Sequence, residues 1–356
     1  MLVFEAAVAR CCAGRTMRIV HGASNIAGLP IEISRAQRAL GHRSTAVLYR
    51  TARGPVPGSV DLERLLEGSR PRRLWGRSRL LAHLLAGYDV FHFHFHTSYL
   101  PLQRDLPLWR VAGKRIIFHL HGCDIRDPRR MRVEQPVSAC AECPVQCMVP
   151  TKLHLPEAIA RYADRVIVST PDLLDFVPGA EYIPNPLDSA ALPRPLPARL
   201  ADGRKYVVVH APTERAIKGT RHLEAAIEGL RAEGVPVRLQ LLEGLPREQM
   251  LRACLEADIA VDQLLIGWFG LFALEMMALG KPVIAYIRPG LERFAPGLPV
   301  VSAEPATIAA TLRALLLDAG RRERLAEDGP AYVARAHNPL DINTRILALY
   351  GAIGTH

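Results

Sequence analysis

Histidines alternate with phenylalanines in one short stretch of the chain, FHFHFH at residues 91–96. Side chains two residues apart in a β-strand lie on the same face, so the histidines would share one face and the phenylalanines the other. Histidines in this arrangement can ligate a metal ion, or they can be uncharged polar groups where a strand leaves the core and enters a site. The stretch by itself favours neither interpretation.

Four cysteines form a second group whose spacing, C-x16-C-x2-C-x3-C, could do chemistry. They are Cys123, Cys140, Cys143 and Cys147, in a segment otherwise rich in charge and proline. Nothing in the sequence indicates secretion, so we do not expect disulfides. Four cysteines around a C-x2-C core favour structural zinc that would hold the 124–150 loop, with an iron–sulfur cluster as the second interpretation and free thiols or a redox pair as the third.

The composition is that of an ordinary globular protein long enough for two domains, with 356 residues, 49% hydrophobic and 22% charged. No uncharged apolar run predicts a membrane span, and residues 1–16 lack a signal-peptide pattern. The first strand-like run begins at Met17, so we interpret residues 1–16 as an upstream extension or a mis-assigned start. The net charge of +10 is uneven, because Lys and Arg exceed Asp and Glu by eight in residues 1–190 and by two in the remainder. We expect a cytoplasmic protein with a solvated basic face, with peripheral contact at the inner membrane face as the alternative and no nucleic-acid partner.

Short apolar runs alternate with helix-like segments in two series, which predicts two doubly wound α/β domains. The predicted strands lie at 17–21, 45–49, 89–96, 114–121, 164–170, 205–210, 237–243, 258–265 and 281–287. The predicted organisation is a first domain at 17–188 with the cysteine-rich loop at 123–147, a proline-rich linker at 189–204, a second domain at 205–337 and a terminal helix at 338–356. Ligands of such sheets bind beyond the carboxyl ends of the strands, where FHFHFH and FHLHGCD place histidines.

The chain resembles glycosyltransferases of the GT-B fold, most of all the retaining family 4 enzymes, over residues 17–290. The stretch DIAVDQLLIGWFGLFALEMMALGKPVIAY (258–286) is similar to the nucleotide-sugar signature of that family, with support from HAPTERAIKGT (210–220), YIPNPLD (182–188) and HLHGCD (119–124). The resemblance implies two Rossmann-like domains facing across a cleft, with the terminal helix crossing back to the first. It also implies a hexosyltransferase that moves a sugar, with retention, from a nucleotide-diphosphate donor. The acceptor is unidentified from the sequence, and a glycan, a lipid-linked molecule or a small molecule all fit.

A donor diphosphate needs cations and backbone N–H groups, and we predict that Lys218 and Arg215 supply the cations. Glu275 resembles the second glutamate of the family's E-x7-E motif, which implies hydrogen bonds to ribose hydroxyls. The position of the first glutamate is Gly267, so contacts to the donor sugar must differ from those of the family. The other predicted donor-binding residues are Gly267, Trp268, Phe269, Gly270, Leu271, Asp262 and Gln263.

Retaining enzymes of this type rely on stabilising the diphosphate and positioning the acceptor. His121 matches the family's H-G after a strand, which implies that it is the catalytic histidine that positions the acceptor, and no cofactor is expected for catalysis. We expect His92 to be a hydrogen-bonded core residue, and a metal on the histidines of FHFHFH is disfavoured because they leave the coordination incomplete. The other predicted acceptor-side residues are His94, His96, Asn25 and Gly22.

Two alternatives stay open on the sequence. A nucleotide-sugar epimerase would use the same scaffold and bind a similar donor, although no convincing acidic pair for the sugar carbon is present. A non-catalytic or redox protein organised by the four-cysteine site is the other, and substitution of Lys218 or Glu275 would leave nucleotide-sugar binding intact only in that class.

Overall fold

The computed structural model describes residues 16–49, 56–66, 68–145, 147–193 and 205–353. Most of the predicted linker and nearly all of the predicted upstream extension lie outside these residues. The chain divides into two compact units. The first unit comprises Met1–Arg126, Gln146–Pro186 and Pro339–His356, and the second unit comprises Asp127–Val145 and Leu187–Asn338.

Strands and helices alternate along most of the described residues. The strands are β1 (Arg18–Ala23), β2 (Arg43–Leu48), β3 (Val60–Asp61), β4 (Val90–His94), β5 (Arg115–Leu120), β6 (Arg165–Val168), β7 (Glu181–Tyr182), β8 (Tyr206–His210), β9 (Val237–Leu241), β10 (Ile259–Val261), β11 (Val283–Ala285) and β12 (Val300–Ser302). The helices are α1 (Leu29–Ala39), α2 (Leu62–Leu66), α3 (Arg70–Gly87), α4 (Leu106–Val111), α5 (Pro128–Glu134), α6 (Ala139–Glu142), α7 (Pro150–Tyr162), α8 (Arg215–Lys218), α9 (Thr220–Ala232), α10 (Arg247–Ala253), α11 (Leu271–Ala278), α12 (Ile308–Leu317), α13 (Ala319–Ala336) and α14 (Pro339–Gly351). Short 3₁₀ helices lie at Pro101–Gln103, Pro171–Asp175, Ser189–Ala191, Cys254–Glu256 and Glu292–Phe294. None of these helices is both long enough and apolar enough to cross a membrane.

The first unit is built on a parallel sheet of order β3-β2-β1-β4-β5-β6-β7. Strand β4 lies between β1 and β5, and every one of its residues is buried. Phe91 and Phe93 pack into an apolar cluster with Trp109 on one face of the sheet. The opposite face packs against α1 and α14, where Ile33 and Ile346 are fully buried. Burial on both faces is what a central parallel strand requires.

The strand at FHFHFH is shorter than predicted. It ends at His94, because Phe95 has a φ of 64°, in the left-handed region that a strand cannot contain. His96 therefore lies in the turn that follows and no longer shares a strand face with His94. The sequence also missed β3, β7 and β12, which have only two or three residues and thus too little pattern to detect.

The second unit contains a parallel sheet of order β12-β11-β10-β8-β9. Its core is aliphatic, with Val208, Ile259 and Ile284 from the central strands buried against α9 and α12. Two parallel α/β sheets confirm the predicted fold class. Segment Asp127–Val145 belongs to the second unit, whereas the sequence places it in the first domain.

Specific contacts explain the placement of this segment. Ala139 donates its N–H to the carbonyl of Leu265 over 2.8 Å, and Ala139 packs in a small apolar cluster with Leu265 and Ile266. Glu142 accepts from His222 at 2.7 Å and pairs with Arg221 at 2.9 Å. These contacts join residues 79 to 126 positions apart, which local sequence patterns do not reveal.

The final helix, α14, belongs to the first unit and packs against α1. Its Tyr350 is fully buried, and the Tyr350 hydroxyl is hydrogen-bonded to Gln37 of α1 and to His92 of β4. The helix thus brings a polar side chain from the end of the chain into the core of the first unit.

Candidate functional site

Lys218 is held at the carboxyl end of two neighbouring strands of the second unit. It ends the short helix α8, which follows β8, and Asp262 and Gln263 directly follow β10. Strands β8 and β10 are parallel neighbours, so the residues that follow them meet at one edge of the sheet. The Lys218 ammonium donates to Asp262 Oδ1 over 2.9 Å and to Gln263 Oε1 over 2.7 Å. An ammonium has three N–H donors, so these contacts leave one for a ligand.

Asp262 also organises the loop that leads into α11. Its Oδ2 accepts from the backbone N–H of Gly270 at 2.5 Å, and Gln263 donates from Nε2 to the carbonyl of Trp268. The sequence predicted Gly270 as a residue that binds the sugar donor, and in the structure its backbone N–H holds the Asp262 carboxylate. Lys218 is the last residue of α8, and α9 begins two residues later, after Gly219 with a φ of 75°.

The other predicted donor-binding residues of this loop are buried or begin the helix that follows. Trp268 and Phe269 are buried with stacked rings 4.9 Å apart, and Leu271 is the first residue of α11. Gly267 has a φ of 82°, and a Cβ there would lie 3.0 Å from Arg288 Cβ. A glutamate at this position would therefore be strained and crowded, which is a physical reason for the departure from the E-x7-E motif.

Glu275 lies on α11 and is buried, with 8% of its side chain exposed. Its Oε1 accepts from Arg247 Nε over 2.6 Å. Burial raises the pKa of the Glu275 carboxyl, and Arg247 opposes that change. Arg215 differs from these residues because its half-exposed guanidinium is already paired with two carboxylates, Glu224 and Glu243.

Buried imidazoles form a hydrogen-bonded network in the first unit, on the sheet face opposite the phenylalanines. In one branch, Gln37 Oε1 lies 2.9 Å from His21 Nε2. His21 Nδ1 lies 3.1 Å from His94 Nε2, and His94 Nδ1 lies 3.1 Å from His121 Nε2. Strand β1 supplies His21, two residues before its end, β4 supplies His94 as its last residue, and His121 directly follows β5.

A second branch runs through the other two histidines. Gln37 Nε2 donates to the Tyr350 hydroxyl over 3.3 Å, and this hydroxyl is hydrogen-bonded to His92 Nδ1. His92 Nε2 lies 3.2 Å from His119 Nδ1. The prediction that His92 is a hydrogen-bonded core residue is therefore confirmed.

Burial keeps all five imidazoles of the network neutral. It lowers the pKa of His21 to about 4 and that of His121 to about 3. Burial also lowers the pKa of His92, His94 and His119 well below the ordinary value of 6.5. Neutral imidazoles carry one donor and one acceptor each, so they can be joined head to tail without burying a charge.

The remaining predicted acceptor-side residues are not members of this network. His96 is half-buried, and burial lowers its pKa. Asn25 Oδ1 accepts from the Gly28 N–H over 2.9 Å and shapes the turn before α1. Gly22 is packed so closely that an added Cβ would lie 2.3 Å from the Tyr99 hydroxyl oxygen.

The four cysteines fall in different units, Cys123 and Cys147 in the first and Cys140 and Cys143 in the second. All four are half-buried. Cys147 Sγ lies 3.5 Å from the ammonium of Lys152, which also donates to the carbonyl of Arg126 over 2.8 Å. The structural zinc site on these cysteines stays a prediction. Among the described residues, the sets of three potential metal ligands within 4.8 Å of one another consist of histidines.

Several residues that build these sites were not singled out from the sequence. His119 lies two residues before His121, a spacing that could have identified it. Asp124 is fully buried and accepts from the backbone N–H groups of His121 and Gly122, so it shapes the loop beyond β5. Gln37 and Tyr350 carry no local signal, because only the fold brings them to the histidines.

Comparison with known proteins supports a glycosyltransferase relationship. No protein-family model matches the chain. A D-inositol 3-phosphate glycosyltransferase of Salinispora tropica is 29% identical over 215 residues, which cover 56% of this chain and 42% of that protein. One of Geodermatophilus obscurus is 34% identical over 131 residues, covering 36% of this chain and 28% of that protein. The chain thus matches less than half the length of either relative.

Solved structures show the same fold. Sucrose-phosphate synthase from Thermosynechococcus elongatus superimposes with a TM-score of 0.61 at 18% identity, over 94% of this chain and 98% of that one. The catalytic domain of starch synthase IV from Arabidopsis thaliana gives a TM-score of 0.62 at 14% identity, over 94% and 99%. The fold is therefore that of GT-B glycosyltransferases, which confirms the resemblance in fold.

Proposed function

We propose that the protein is a retaining glycosyltransferase whose nucleotide-diphosphate sugar donor binds to the second unit. The observation that carries the proposal is the Lys218 ammonium, fixed at the carboxyl ends of β8 and β10 by Asp262 and Gln263. A cation held in this way is oriented before the ligand arrives, so little free energy is lost in ordering it. Its remaining N–H suits an oxygen of the donor diphosphate.

In the proposed reaction, the bond between the sugar's anomeric carbon and the diphosphate oxygen breaks, and the diphosphate leaves with the electron pair. Lys218 stabilises the charge that develops on this leaving group. The acceptor hydroxyl forms the new bond on the face from which the diphosphate departs, and its proton passes to a diphosphate oxygen. Glu275 binds the donor ribose, and His121 orients the acceptor hydroxyl.

A thermal-shift screen of nucleoside diphosphates and nucleotide sugars tests donor binding. We expect at least one to stabilise the wild type, because a ligand that binds only the folded state raises its melting temperature. Lys218→Met should abolish this shift, whereas Lys205→Met, at an exposed lysine of the same unit, should preserve it. A shift that survives in Lys218→Met would contradict the assignment of the donor cation.

The stereochemical outcome separates this proposal from the alternatives. With the donor found in the screen and a panel of sugar, lipid and polyol acceptors, proton NMR should show a product with the anomeric configuration of the donor. An inverted product would contradict retention. Conversion of the donor into its epimer without any transfer would identify an epimerase.

A further inference from the structure

The two branches of the histidine network start at one side chain, the buried amide of Gln37. Each branch has three hydrogen bonds. One runs from Gln37 Oε1 through His21 and His94 to His121, and the other from Gln37 Nε2 through Tyr350 and His92 to His119. An amide offers an acceptor at one end and donors at the other, so the branches begin with opposite polarity.

The polarity of the first branch follows step by step. Gln37 Oε1 accepts, so His21 must donate from Nε2 and, being neutral, accept at Nδ1. His94 then donates from Nε2 and accepts at Nδ1. His121 in turn donates from Nε2, which leaves a lone pair at His121 Nδ1.

The second branch ends in the opposite way. Gln37 Nε2 donates to the Tyr350 oxygen, so the Tyr350 hydroxyl donates to His92 Nδ1. Neutral His92 then donates from Nε2 to His119 Nδ1. This leaves an N–H at His119 Nε2.

The opposite polarity does not depend on which way the Gln37 amide is oriented. Exchanging its oxygen and nitrogen reverses both branches together, so His119 and His121 would still end as one acceptor and one donor. Ser44 favours the orientation described, since its hydroxyl lies 2.8 Å from Gln37 Oε1 and donates to it.

We propose that Gln37 is a positioning residue that locks His119 and His121 into opposite roles, so that together they bind a hydroxyl group. This use of the pair rests on the proposed transfer to an acceptor hydroxyl. Their rings are stacked with centroids 4.4 Å apart. Within the described residues, His119 Nε2 and His121 Nδ1 are both buried without a hydrogen-bond partner. A hydroxyl donates one hydrogen bond and accepts others, which matches a lone pair beside an N–H.

A metal ion is the competing occupant of the same histidines. Two sets of three, one with His21 and His92 and the other with His119 and His121, share His94. Both ring nitrogens of His94 already lie at hydrogen-bond distance from another imidazole. A metal ion bound to either set would replace a hydrogen bond of His94 to His21 or to His121. The direction of the hydrogen bonds in the first branch would then be reversed or lost.

Nitrogen NMR of the full-length protein labelled with ¹⁵N-histidine tests the lock, because the two ring-nitrogen shifts distinguish the tautomers. In the wild type at neutral pH and without ligand, we expect both His121 and His119 to carry the ring proton on Nε2. The two rings differ in which nitrogen has a hydrogen-bond partner. The Nε2 proton of His121 is donated to His94, whereas the Nε2 proton of His119 has no partner within the described residues. His121 Nδ1 should therefore have the shift of an unprotonated nitrogen that accepts no hydrogen bond.

Two variants separate the branches. Tyr350→Phe removes one link of the second branch, so His119 should become a mixture of tautomers while His121 stays unchanged. Gln37→Met removes the common origin at similar side-chain length, so both histidines should become mixtures. The exposed His154 serves as an internal reference that neither variant should change.

Several outcomes would overturn the proposal. These are an unchanged His119 in Tyr350→Phe, a change of His121 in that variant, or stoichiometric zinc whose removal alters the histidine shifts. If Gln37→Met does not fold, Tyr350→Phe alone still decides, because the two branches must respond differently. The tautomers are measured without donor, so failure of nucleotide-sugar binding beside an intact tautomer pattern would contradict the proposed function and leave the lock in place.

Discussion

Both units place polar side chains toward the carboxyl ends of their central strands, but these side chains are charged in the second unit and neutral in the first. The second unit uses full charges, with Lys218 and Asp262 exposed by only 15% and 1%. The first unit uses five neutral imidazoles, joined head to tail. Burying charges costs free energy unless each has a partner, whereas neutral donor–acceptor chains avoid that cost.

The difference matches the ligands that we propose for each unit. A diphosphate is an anion and needs a fixed cation, so the ion pair of the second unit suits it. A hydroxyl is neutral and needs one donor and one acceptor, so the imidazole network of the first unit suits it. The same edge of a parallel sheet can thus be adapted to a charged or to a neutral ligand by the charge state of its side chains.

The largest effect is expected from Asp262→Asn. It should lower the free energy of unfolding by about 3 kcal/mol, because Lys218 is left as a mostly buried charge without its counter-ion. Chemical denaturation measures this, with Asp328→Asn at an exposed position as the control that should change it by less than about 0.5 kcal/mol. A nucleoside diphosphate should restore part of the lost stability, and a loss no larger than that of the control would contradict the ion-pair description.

The pH dependence of stability should differ between the units. Burial lowers the pKa of His21 from 6.5 to about 4. Neutral His21 is therefore compatible with the folded state above pH 6.5, and the free energy of unfolding decreases as the pH falls from 6.5 toward 4. At about 1.4 kcal/mol for each pKa unit, His21 alone would lose about 3 kcal/mol over this range. Glu275 acts in the opposite direction, because a raised carboxyl pKa makes the folded state relatively more stable as the pH falls.

Hydrogen exchange, corrected for the intrinsic effect of pH, measures this difference strand by strand. Between about pH 7.5 and about pH 5, amides of β1, β4 and β5 should lose more protection than those of β8 and β10. The second unit also contains a buried histidine whose pKa is lowered, His210, so some loss is expected there. Equal loss of amide protection in the two sheets would contradict the prediction that the first sheet is the more sensitive to acid.

Replacing one glycine by alanine should mainly lower stability in the first unit and mainly weaken donor binding in the second unit. Gly22→Ala places a Cβ 2.3 Å from the buried Tyr99 hydroxyl oxygen, so the free energy of unfolding should fall by about 1–3 kcal/mol. Gly270→Ala places a Cβ 3.0 Å from Asp262 Oδ2 and 3.2 Å from Lys218 Nζ, so it should weaken donor binding more than it destabilises the fold.

Thermal unfolding and calorimetric titration with the donor distinguish these outcomes. Gly87→Ala, where nothing lies within 4 Å of the added Cβ, is the control for both variants. Unchanged donor binding in Gly270→Ala would show that the Lys218–Asp262 pair tolerates displacement.

The smallest effect on stability is expected at the basic surface of the first unit. The first ten residues of α3 are almost all exposed and carry five arginines, and Leu74 and Trp75 are 67% and 63% exposed. We propose that this half-helix contacts anionic lipid, since exposed arginine, leucine and tryptophan suit the membrane interface.

Trp75→Ala should leave the free energy of unfolding within about 0.5 kcal/mol of the wild type. It should reduce co-sedimentation with phosphatidylglycerol vesicles. Phosphatidylcholine vesicles, which have no net charge, should bind neither protein. Equal sedimentation of the two proteins with the anionic vesicles would contradict the proposal.

Much of the fold was predictable, because long buried strands have strong apolar patterns. All nine predicted strands correspond to strands of the two sheets, and the errors fall on short strands and on ends such as His94. The end at His94 depends on one left-handed residue, Phe95, for which the sequence offers no local signal. The assignment of Asp127–Val145 failed for a different reason, since it depends on contacts with residues far along the chain.

The candidate sites were predictable in part. Lys218, Asp262 and Gln263 were predicted from their residue types and from the resemblance to the family signature, and the structure brings these three together. Arg215 and the Gly270 amide were predicted for the donor, but the structure pairs them with carboxylates of the chain itself. Such pairing depends on distance in space, which a linear motif does not contain.

The sequence by itself determined that two parallel α/β sheets form, that histidines alternate along a central strand and that Lys218, Asp262 and Gln263 are candidates for one donor site. These results depend on local patterns of burial and on strand periodicity. Only the tertiary structure decided that the histidines are neutral and joined in two branches. That arrangement needs Gln37 from one helix and Tyr350 from the last, and two side chains 313 positions apart meet only when the chain has folded.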